Sequence, residues 1–205
     1  MENVKKELKV LCISDTHGMA GHLDLFEEEG DIFIHAGDFT VYCPLEQVYE
    51  FCEFLDRLKF RHKIVICGNH EVHFDEKLEP ESSKRKRQHP CEVIRSLTKK
   101  TSNELKEILK KHCTYLEHEL VEIEGLKIFG SPYTALHGET AFSYERENGK
   151  AVWGNIMPVV ILATHAPPYE IFDVGKVQDK HLGCKYLLEK VLEIKPRLHV
   201  FGHIH

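Results

Sequence analysis

Five short runs of apolar, largely β-branched residues recur along the chain, and each is bounded by Gly, Pro, Asp or Asn. Such runs predict buried strands. The predicted strands are residues 9–14, 31–36, 63–67, 159–164 and 198–201. Because their hydrophobicity is nearly continuous instead of alternating, we expect the sheet to be covered on both faces.

Helical periodicity occupies much of the sequence between these runs. Apolar residues recur at intervals of three and four in residues 44–58 and 180–194, which predicts two amphipathic helices. Residues 119–123 and 126–129 flank a Glu-Gly pair and predict a hairpin with a polar open edge. The pattern therefore predicts a single α/β domain over residues 1–205, with a layered sheet.

Residues 76–112 depart from this pattern because they are densely charged and contain a Lys-Arg-Lys-Arg run at 84–87. We interpret them as a charged insertion at the protein surface. A lid or a phosphate-steering patch beside a functional site is the alternative. The segment ends in a helix-like stretch at 102–112, where Ser102 offers an N-cap without the full capping box.

Composition narrows the class of protein. A chain of 205 residues, 42% hydrophobic and 29% charged, is typical of an ordinary globular protein with its own core. Its formal charge of -6 argues against stable nucleic-acid binding, which requires excess Lys and Arg. The seven cysteines form no C-x-x-C pair, which predicts reduced thiols and a cytoplasmic location. No apolar stretch suits a signal peptide or a bilayer span, so we expect no membrane association.

Each predicted strand is followed by residue types that bind metals. In chain order these are Ser14-Asp15-Thr16-His17, Gly37-Asp38, Gly68-Asn69-His70-Glu71, His165, and Gly202-His203-Ile204-His205. Ligands of open α/β sheets bind beyond the carboxyl ends of the strands, so we expect these loops to converge on one crevice.

The chemistry of this set fits a metal site. Imidazole and carboxylate groups suit zinc, iron or manganese, and the lack of cysteine argues against a structural thiolate zinc. Asp15 and His17, at a spacing of two, point the same way on an extended segment, as do His203 and His205. Any one of these residues alone has an ordinary structural explanation. Five such motifs in order favour a metal site instead.

A glycine directly precedes three of the candidate ligands and leaves room for the backbone to approach the site closely. These ligands are Asp38, Asn69 and His203.

The motifs D-x-H, G-D, G-N-H-E, H and G-H-x-H, in this order, resemble those of the calcineurin-like metallophosphoesterase superfamily over residues 11–205. The resemblance implies a layered α/β/β/α sandwich with the metal site at the carboxyl ends of the strands. Residues 35–40, 130–134 and 164–168 look like the metallophosphoesterase-domain-containing branch, which is associated with phosphodiester cleavage, including that of cyclic nucleotides.

The resemblance also implies a cage of two divalent ions, of manganese, iron, zinc or magnesium. One ion would be held by Asp15, His17, Asp38 and His205, and the other by Asp38, Asn69, His165 and His203. We call these seven residues the metal cage. Asp38 would bridge the ions, which would share a hydroxide that attacks the phosphorus in line.

His70 is then free of metal and is our candidate catalytic residue. It would act as general acid at the leaving oxygen or donate a hydrogen bond in the transition state. Its alternative role is to hold the loop. We expect Glu71 to brace the loop and orient the ligands.

One departure from the superfamily bears on the substrate. Its protein Ser/Thr phosphatases carry G-D-x-x-D-R-G, whereas residues 37–43 here read Gly-Asp-Phe-Thr-Val-Tyr-Cys and lack both the acid and the arginine. A dianionic phosphomonoester loses a clamp without that arginine, so we favour phosphodiesters. The alternatives are a phosphomonoesterase or phosphoprotein phosphatase, or a non-catalytic scaffold that keeps the fold. The expected partner is a small phosphoester, such as a nucleotide.

Two further expectations concern the edges of the site. Family members ordinarily continue with more sheet after G-H-x-H, so we expect a truncated C-terminal sheet and weaker binding of the ion held by His205. The loop at 131–144 carries four aromatic or imidazole side chains that could stack on a nucleobase, although packing within a surface loop is favoured. These side chains are Tyr133, His137, Phe142 and Tyr144.

Overall fold

The computed structural model describes residues 7–78, 100–135, 140–176 and 180–205. Its centre is a pair of four-stranded sheets. The first sheet is parallel and contains, in spatial order, β1 (Val10–Ile13), β2 (Glu29–Ala36), β3 (Lys59–Ile66) and β4 (Thr114–Tyr115).

The second sheet has the spatial order β10-β9-β6-β5. Its strands are β5 (Glu119–Ile123), β6 (Leu126–Ser131), β9 (Ile161–Thr164) and β10 (Leu198–Val200). All pairs are parallel except β5 with β6, which form the predicted hairpin. A separate small sheet joins β7 (Thr134–Ala135) to β8 (Ser143–Tyr144).

Helices cover the outer face of each sheet. They are α1 (Leu45–Arg57), α2 (Ser102–Leu109), α3 (Gly149–Trp153) and α4 (Lys185–Ile194). α1 and α2 share a hydrophobic cluster with Phe33 and Val65 of the first sheet. α3 and α4 share another with Phe129 and Leu162 of the second. The predicted α/β/β/α order is confirmed.

The space between the sheets is filled by alternate residues of the strands. Ile32 and Ile34 of β2 pack in one buried cluster with Ile161 and Ala163 of β9, whereas Phe33 faces the helices. Successive side chains of a strand point to opposite faces, so a strand with both faces buried must be apolar throughout. This explains the continuous hydrophobic runs from which the strands were predicted.

The helix α2 is part of the core and not of a surface insertion. Leu105 and Leu109 are fully buried against the first sheet. The predicted cap was wrong: Thr101 is the N-cap, and Glu104 completes a capping box with it. Ser102 instead donates its hydroxyl to a backbone carbonyl of the core.

Other differences reflect contacts distant in sequence. The last helix begins at Lys185 instead of residue 180, because the chain before it bonds to a neighbouring loop, as in the bond from Leu182 N to Asp173 O of 2.9 Å. Two-residue strands such as β4 leave no periodicity to detect. Residues 79–99 of the predicted charged insertion lie outside the described part of the chain. Within the described part, no helix is long and apolar enough to cross a membrane.

Candidate metal centre

The loops that follow β1, β2, β3, β9 and β10 meet at one end of the sandwich. Backbone hydrogen bonds join the first two loops, from Asp15 N to Gly37 O (2.9 Å) and from His17 N to Asp38 O (3.0 Å). The last two loops are joined by a bond from Gly202 N to His165 O (3.0 Å). The predicted convergence of the loops is therefore present.

The side chains of these loops bring their ligand atoms together. Three groups have ligand atoms that all lie within 4.8 Å of one another: Asp15, His17 and His205; His17, Asp38 and His70; and Asp38, His165 and His203. Asn69 joins the last group, since its Oδ1 lies 3.0 Å from His165 Nε2. The structure thus places all seven residues of the metal cage, and His70, at one centre.

His165 shows that these residues suit a cation. Its Nδ1 donates to the backbone oxygen of Ala36 at 2.8 Å, which turns Nε2 toward the centre. Nε2 lies 3.2 Å from Asp38 Oδ2 and 3.0 Å from Asn69 Oδ1, both acceptors. Two acceptors this close to Nε2 require a positive charge beside them, which a proton on the ring supplies in the metal-free protein. A divalent ion would satisfy all of them.

The pKa values at this centre show the same attraction for positive charge. Burial alone would lower the pKa of His165, but the carboxylate of Asp38 raises it to about 9. Burial conversely acts to raise the pKa of Asp38, but His165 brings it well below its usual range. The centre therefore favours a cation beside an ionised Asp38.

Glycines give the loops room to approach. A Cβ on Gly68 would contact Asp38 Oδ1 and would lie 2.5 Å from His165 Nε2. A Cβ on Gly37 would lie 2.6 Å from His165 Nδ1, and one on Gly202 would contact the Asp15 carboxylate. The prediction that these glycines permit a close approach of the backbone is confirmed.

Four residues of the cage have a strained backbone. Asp15, His17, Asp38 and His203 have φ values of 53°, 43°, 54° and 72°, in the left-handed region that non-glycine residues rarely adopt. Each such residue costs about 1–3 kcal/mol, and the surrounding bonds must compensate. Strain of this kind accumulates at functional sites.

Glu71 supplies much of that compensation. Its Oε1 accepts from the amide and hydroxyl of Thr40 at 2.9 and 2.8 Å, and its Oε2 accepts from Asp38 N and Gly68 N at 2.9 and 2.7 Å. Burial, with the nearby Asp38, raises the pKa of this fully buried carboxyl to about 7. One side chain thus fastens the loop after β2 to the loop after β3, where the sequence placed a brace.

His70 lies at the mouth of the centre. Its backbone amide donates to Asp38 Oδ1 at 2.9 Å, while its Nε2 is 3.9 Å from Asp38 Oδ2, farther than that of His165. Its side chain is 24% exposed, and burial lowers its pKa. Tyr42 stacks on it, with ring centres 5.0 Å apart and planes 25° from parallel. Sequence analysis missed this contact, for which the aromatic type of residue 42 was the only signal.

The aromatic residues expected near the rim are largely packed into the protein. Phe142 is buried in the hydrophobic cluster between the first sheet and its helices. The Tyr144 hydroxyl accepts a hydrogen bond of 2.8 Å from Trp153 Nε1. The packed interpretation therefore fits these two residues, and His137 lies outside the described residues.

Carboxylates and imidazoles at the carboxyl ends of two packed sheets are the kind of site that metal-dependent phosphoesterases use. The family model for calcineurin-like phosphoesterases matches residues 8–205, and the chain belongs to this family. This confirms the resemblance found in the motifs.

Two proteins of similar sequence belong to the same comparison. Metallophosphoesterase domain-containing protein 1 of Homo sapiens is 36% identical over 200 residues, which cover 96% of this chain and 60% of that protein. A UPF0046 protein of Caenorhabditis elegans is 34% identical over 209 residues, covering 98% of this chain and 70% of that protein. The chain thus spans only about 60% of the length of the human relative.

Among solved structures, TT1561 of Thermus thermophilus matches with a TM-score of 0.53 and 14% identity, over 94% of this chain and 80% of that chain. At this identity the likeness concerns the fold, and it agrees with the α/β/β/α sandwich.

Proposed function

We propose that this chain hydrolyses phosphodiesters with two divalent ions bound in the metal cage. The observation that carries the proposal is the position of Asp38, whose carboxylate belongs to one group of ligand atoms with His17 and to another with His165 and His203. A carboxylate with two oxygens in such a position suits a bridge between two ions. When bound, the two ions would supply a nucleophile at neutral pH and neutralise charge on the phosphate.

Bonds from the protein fix the orientation of both carboxylates of the cage. Asp38 Oδ1 accepts from the His70 amide, so its Oδ2 is directed toward His165. Both oxygens of Asp15 accept from His203 N at 3.0 Å. The carboxylates are thereby arranged before any substrate arrives.

His70 is proposed to donate a proton or a hydrogen bond to the leaving oxygen. Its ring is partly exposed, faces the centre and is kept in place by Tyr42 on one side and His17 on the other. This placement is what a general acid at the mouth of a site requires.

The charges around the centre support a diester. In the described part of the chain, Asp38 forms ion pairs with histidines only, and Tyr42 occupies the position of the phosphatase arginine. A phosphodiester carries one charge fewer than a monoester and needs that cation less. We extend the proposal to nucleotides, including cyclic ones, as substrates and to manganese among the candidate metals. The six cysteines in the described ranges are free thiols, which supports a cytoplasmic location.

The test compares bis-p-nitrophenyl phosphate with p-nitrophenyl phosphate after reconstitution with manganese, iron, zinc or magnesium. We expect faster turnover of the diester, and a loss of at least about a hundredfold in Asp38→Asn, which removes the bridging charge. His70→Ala should lose turnover yet retain metal.

Three results would contradict this proposal. Full activity in Asp38→Asn would exclude the bridging mechanism. Preference for the monoester would favour a phosphomonoesterase. No turnover of either ester with any of these metals would favour a non-catalytic scaffold.

A further inference from the structure

Two histidines outside the metal cage lie beneath it, one in each sheet. His35 is in β2, and its Nε2 lies 3.0 Å from the hydroxyl of Thr16. His199 is in β10, and its Nε2 lies 2.8 Å from the hydroxyl of Thr164. Each threonine is next to candidate ligands in the chain, so the two sheets repeat one arrangement.

His35 is poorly accommodated as a structural residue. It is fully buried, and its ring packs against those of Phe39 and Phe51, with centres 6.1 and 5.0 Å away. Its Nδ1 has no hydrogen-bond partner among residues 7–78, 100–135, 140–176 and 180–205. A buried polar atom without a partner is destabilising, because it loses its hydrogen bonds to water on folding. An apolar side chain would therefore serve stability as well or better here.

The bond that His35 does make acts on a strained turn. Thr16 lies between Asp15 and His17, which both have left-handed backbone conformations. The imidazole of His35 holds the side chain of Thr16, the middle residue of this turn, while a separate bond from His17 N to Asp38 O holds the residue that follows it. Holding the middle residue limits how far the two flanking ligands can rotate.

His199 acts in the same way on the second sheet. The Thr164 hydroxyl donates to the backbone oxygen of Ala166 at 2.8 Å, so it must accept from His199 Nε2. Burial lowers the pKa of His199 to about 4, which agrees with a neutral ring that donates from Nε2. Since Thr164 and Ala166 flank His165, this chain of bonds fixes the peptide that carries that ligand.

We propose that His35 and His199 are positioning residues, one for each ion of the metal cage. His35 sets Asp15 and His17 through Thr16, and His199 sets His165 through Thr164. The proposal rests on the proposed function only in assuming that the cage binds two ions.

The experiment measures metal binding and stability rather than turnover. Mn²⁺ binding is followed by equilibrium titration in His35→Leu and His199→Leu, and urea unfolding is followed in the metal-free proteins. We expect each variant to bind one ion about 10–100-fold more weakly and the other unchanged. Metal-free His35→Leu should be at least as stable as the wild type, because it removes an unpaired nitrogen.

Rescue and control variants make the outcome specific. Glutamine places an amide nitrogen near the position of Nε2, so His35→Gln and His199→Gln should recover most of the affinity. Thr16→Val and Thr164→Val should reproduce the losses. His62→Leu removes a histidine of β3 that bonds to Glu124 away from the cage and should leave both ions unaffected.

The outcomes that would overturn the proposal are distinct from failure of the proposed function. Wild-type affinity for both ions in the leucine variants would overturn it, as would losses that glutamine does not recover. Lack of ion binding by the wild type would overturn both proposals. Two bound ions without hydrolysis of either ester would overturn only the proposed activity.

Discussion

The two sheets contribute to the metal cage in different ways. The loops of the first sheet carry Asp15, His17, Asp38 and Asn69 and are fastened to one another by Glu71. The cage residues in the loops of the second sheet are all histidines, and they bond to the first sheet: His165 Nδ1 donates to Ala36 O, His165 Nε2 lies 3.0 Å from Asn69 Oδ1, and His203 N donates to the Asp15 carboxylate.

The difference has a physical consequence. The first-sheet half of the cage is arranged by its own contacts. In the second-sheet half, bonds within the sheet hold the backbone of His165, whereas the ligand side chains are oriented by contacts with the first sheet. The bonds that orient its ligands also join the sheets, so metal binding and the packing of the sandwich are coupled. Removal of the metal should therefore loosen the contact between the sheets.

The largest effect is expected when a side chain is added at Gly68, in the loop after β3. In Gly68→Ala the new Cβ would occupy the space between Asp38 and His165, so we expect loss of metal binding by more than about a hundredfold. Gly21→Ala is the matched control, because in the described part of the chain no contacting atom lies within 4 Å of a Cβ at this position. Equal Mn²⁺ affinity in the two variants would show that Gly68 does not border the metal site.

Metal removal tests the docking of the second half. An ion at about a thousand times its dissociation constant stabilises the folded state by about 4 kcal/mol. We expect a chelator to lower the midpoint of thermal unfolding, and amide hydrogen exchange to rise more in β9 and β10 than in β2 and β3. Uniform exchange in both sheets would contradict the proposed asymmetry.

Glu71→Gln probes the first half alone. The NH₂ group of the glutamine would face backbone N–H groups that now donate to the carboxylate. The unsatisfied groups should lower the free energy of unfolding by about 3 kcal/mol. Urea unfolding should show this loss, and Mn²⁺ affinity should fall with it. Asp173→Asn is the control in the second half, since Asp173 accepts from two backbone amides and His181. Asp173→Asn should lose stability and keep its metal affinity. If its Mn²⁺ affinity fell as well, the loss in Glu71→Gln would reflect general destabilisation and not the contact of Glu71 with the loops of the cage.

The smallest effect is a dependence of stability on pH. Burial lowers the folded pKa of His199 from 6.5 to about 4, so the unfolded state binds the proton more readily between these values. This contribution to stability is fully present above pH 6.5 and is lost as the pH falls toward 4, by at most about 1.4 kcal/mol per unit. The metal-free wild type should thus weaken more than His199→Gln between pH 7.5 and 5 in urea unfolding. Identical slopes would exclude this contribution.

Local patterns in the sequence were sufficient for the longer strands and for the convergence of the candidate ligands. Apolar runs ended one or two residues before Asp15, Asp38 and His165, and the parallel sheets brought those ends together. The preceding glycines also followed from sequence, because a close approach leaves no room for a side chain. Which residues bind metal remains a prediction from the sequence and the geometry.

What local patterns did not predict depends on contacts between residues distant in sequence. The division into two sheets followed only from the family resemblance, because it is set by the pairing of β6 with β9, about thirty residues apart, which no local periodicity records. The bonds of Glu71 to Thr40 and of His199 to Thr164 have the same origin. One signal was present in the sequence: His35 interrupts the apolar run at residues 32–36, and a polar residue inside a buried run requires a structural or functional explanation.

The most direct test of the account is anomalous diffraction from crystals grown with Mn²⁺. We expect two peaks about 3.5–4 Å apart with Asp38 between them, one beside Asp15 and His17 and the other beside Asn69 and His165. A single peak, or two peaks that Asp38 does not join, would contradict the proposal that the two halves form one dinuclear cage.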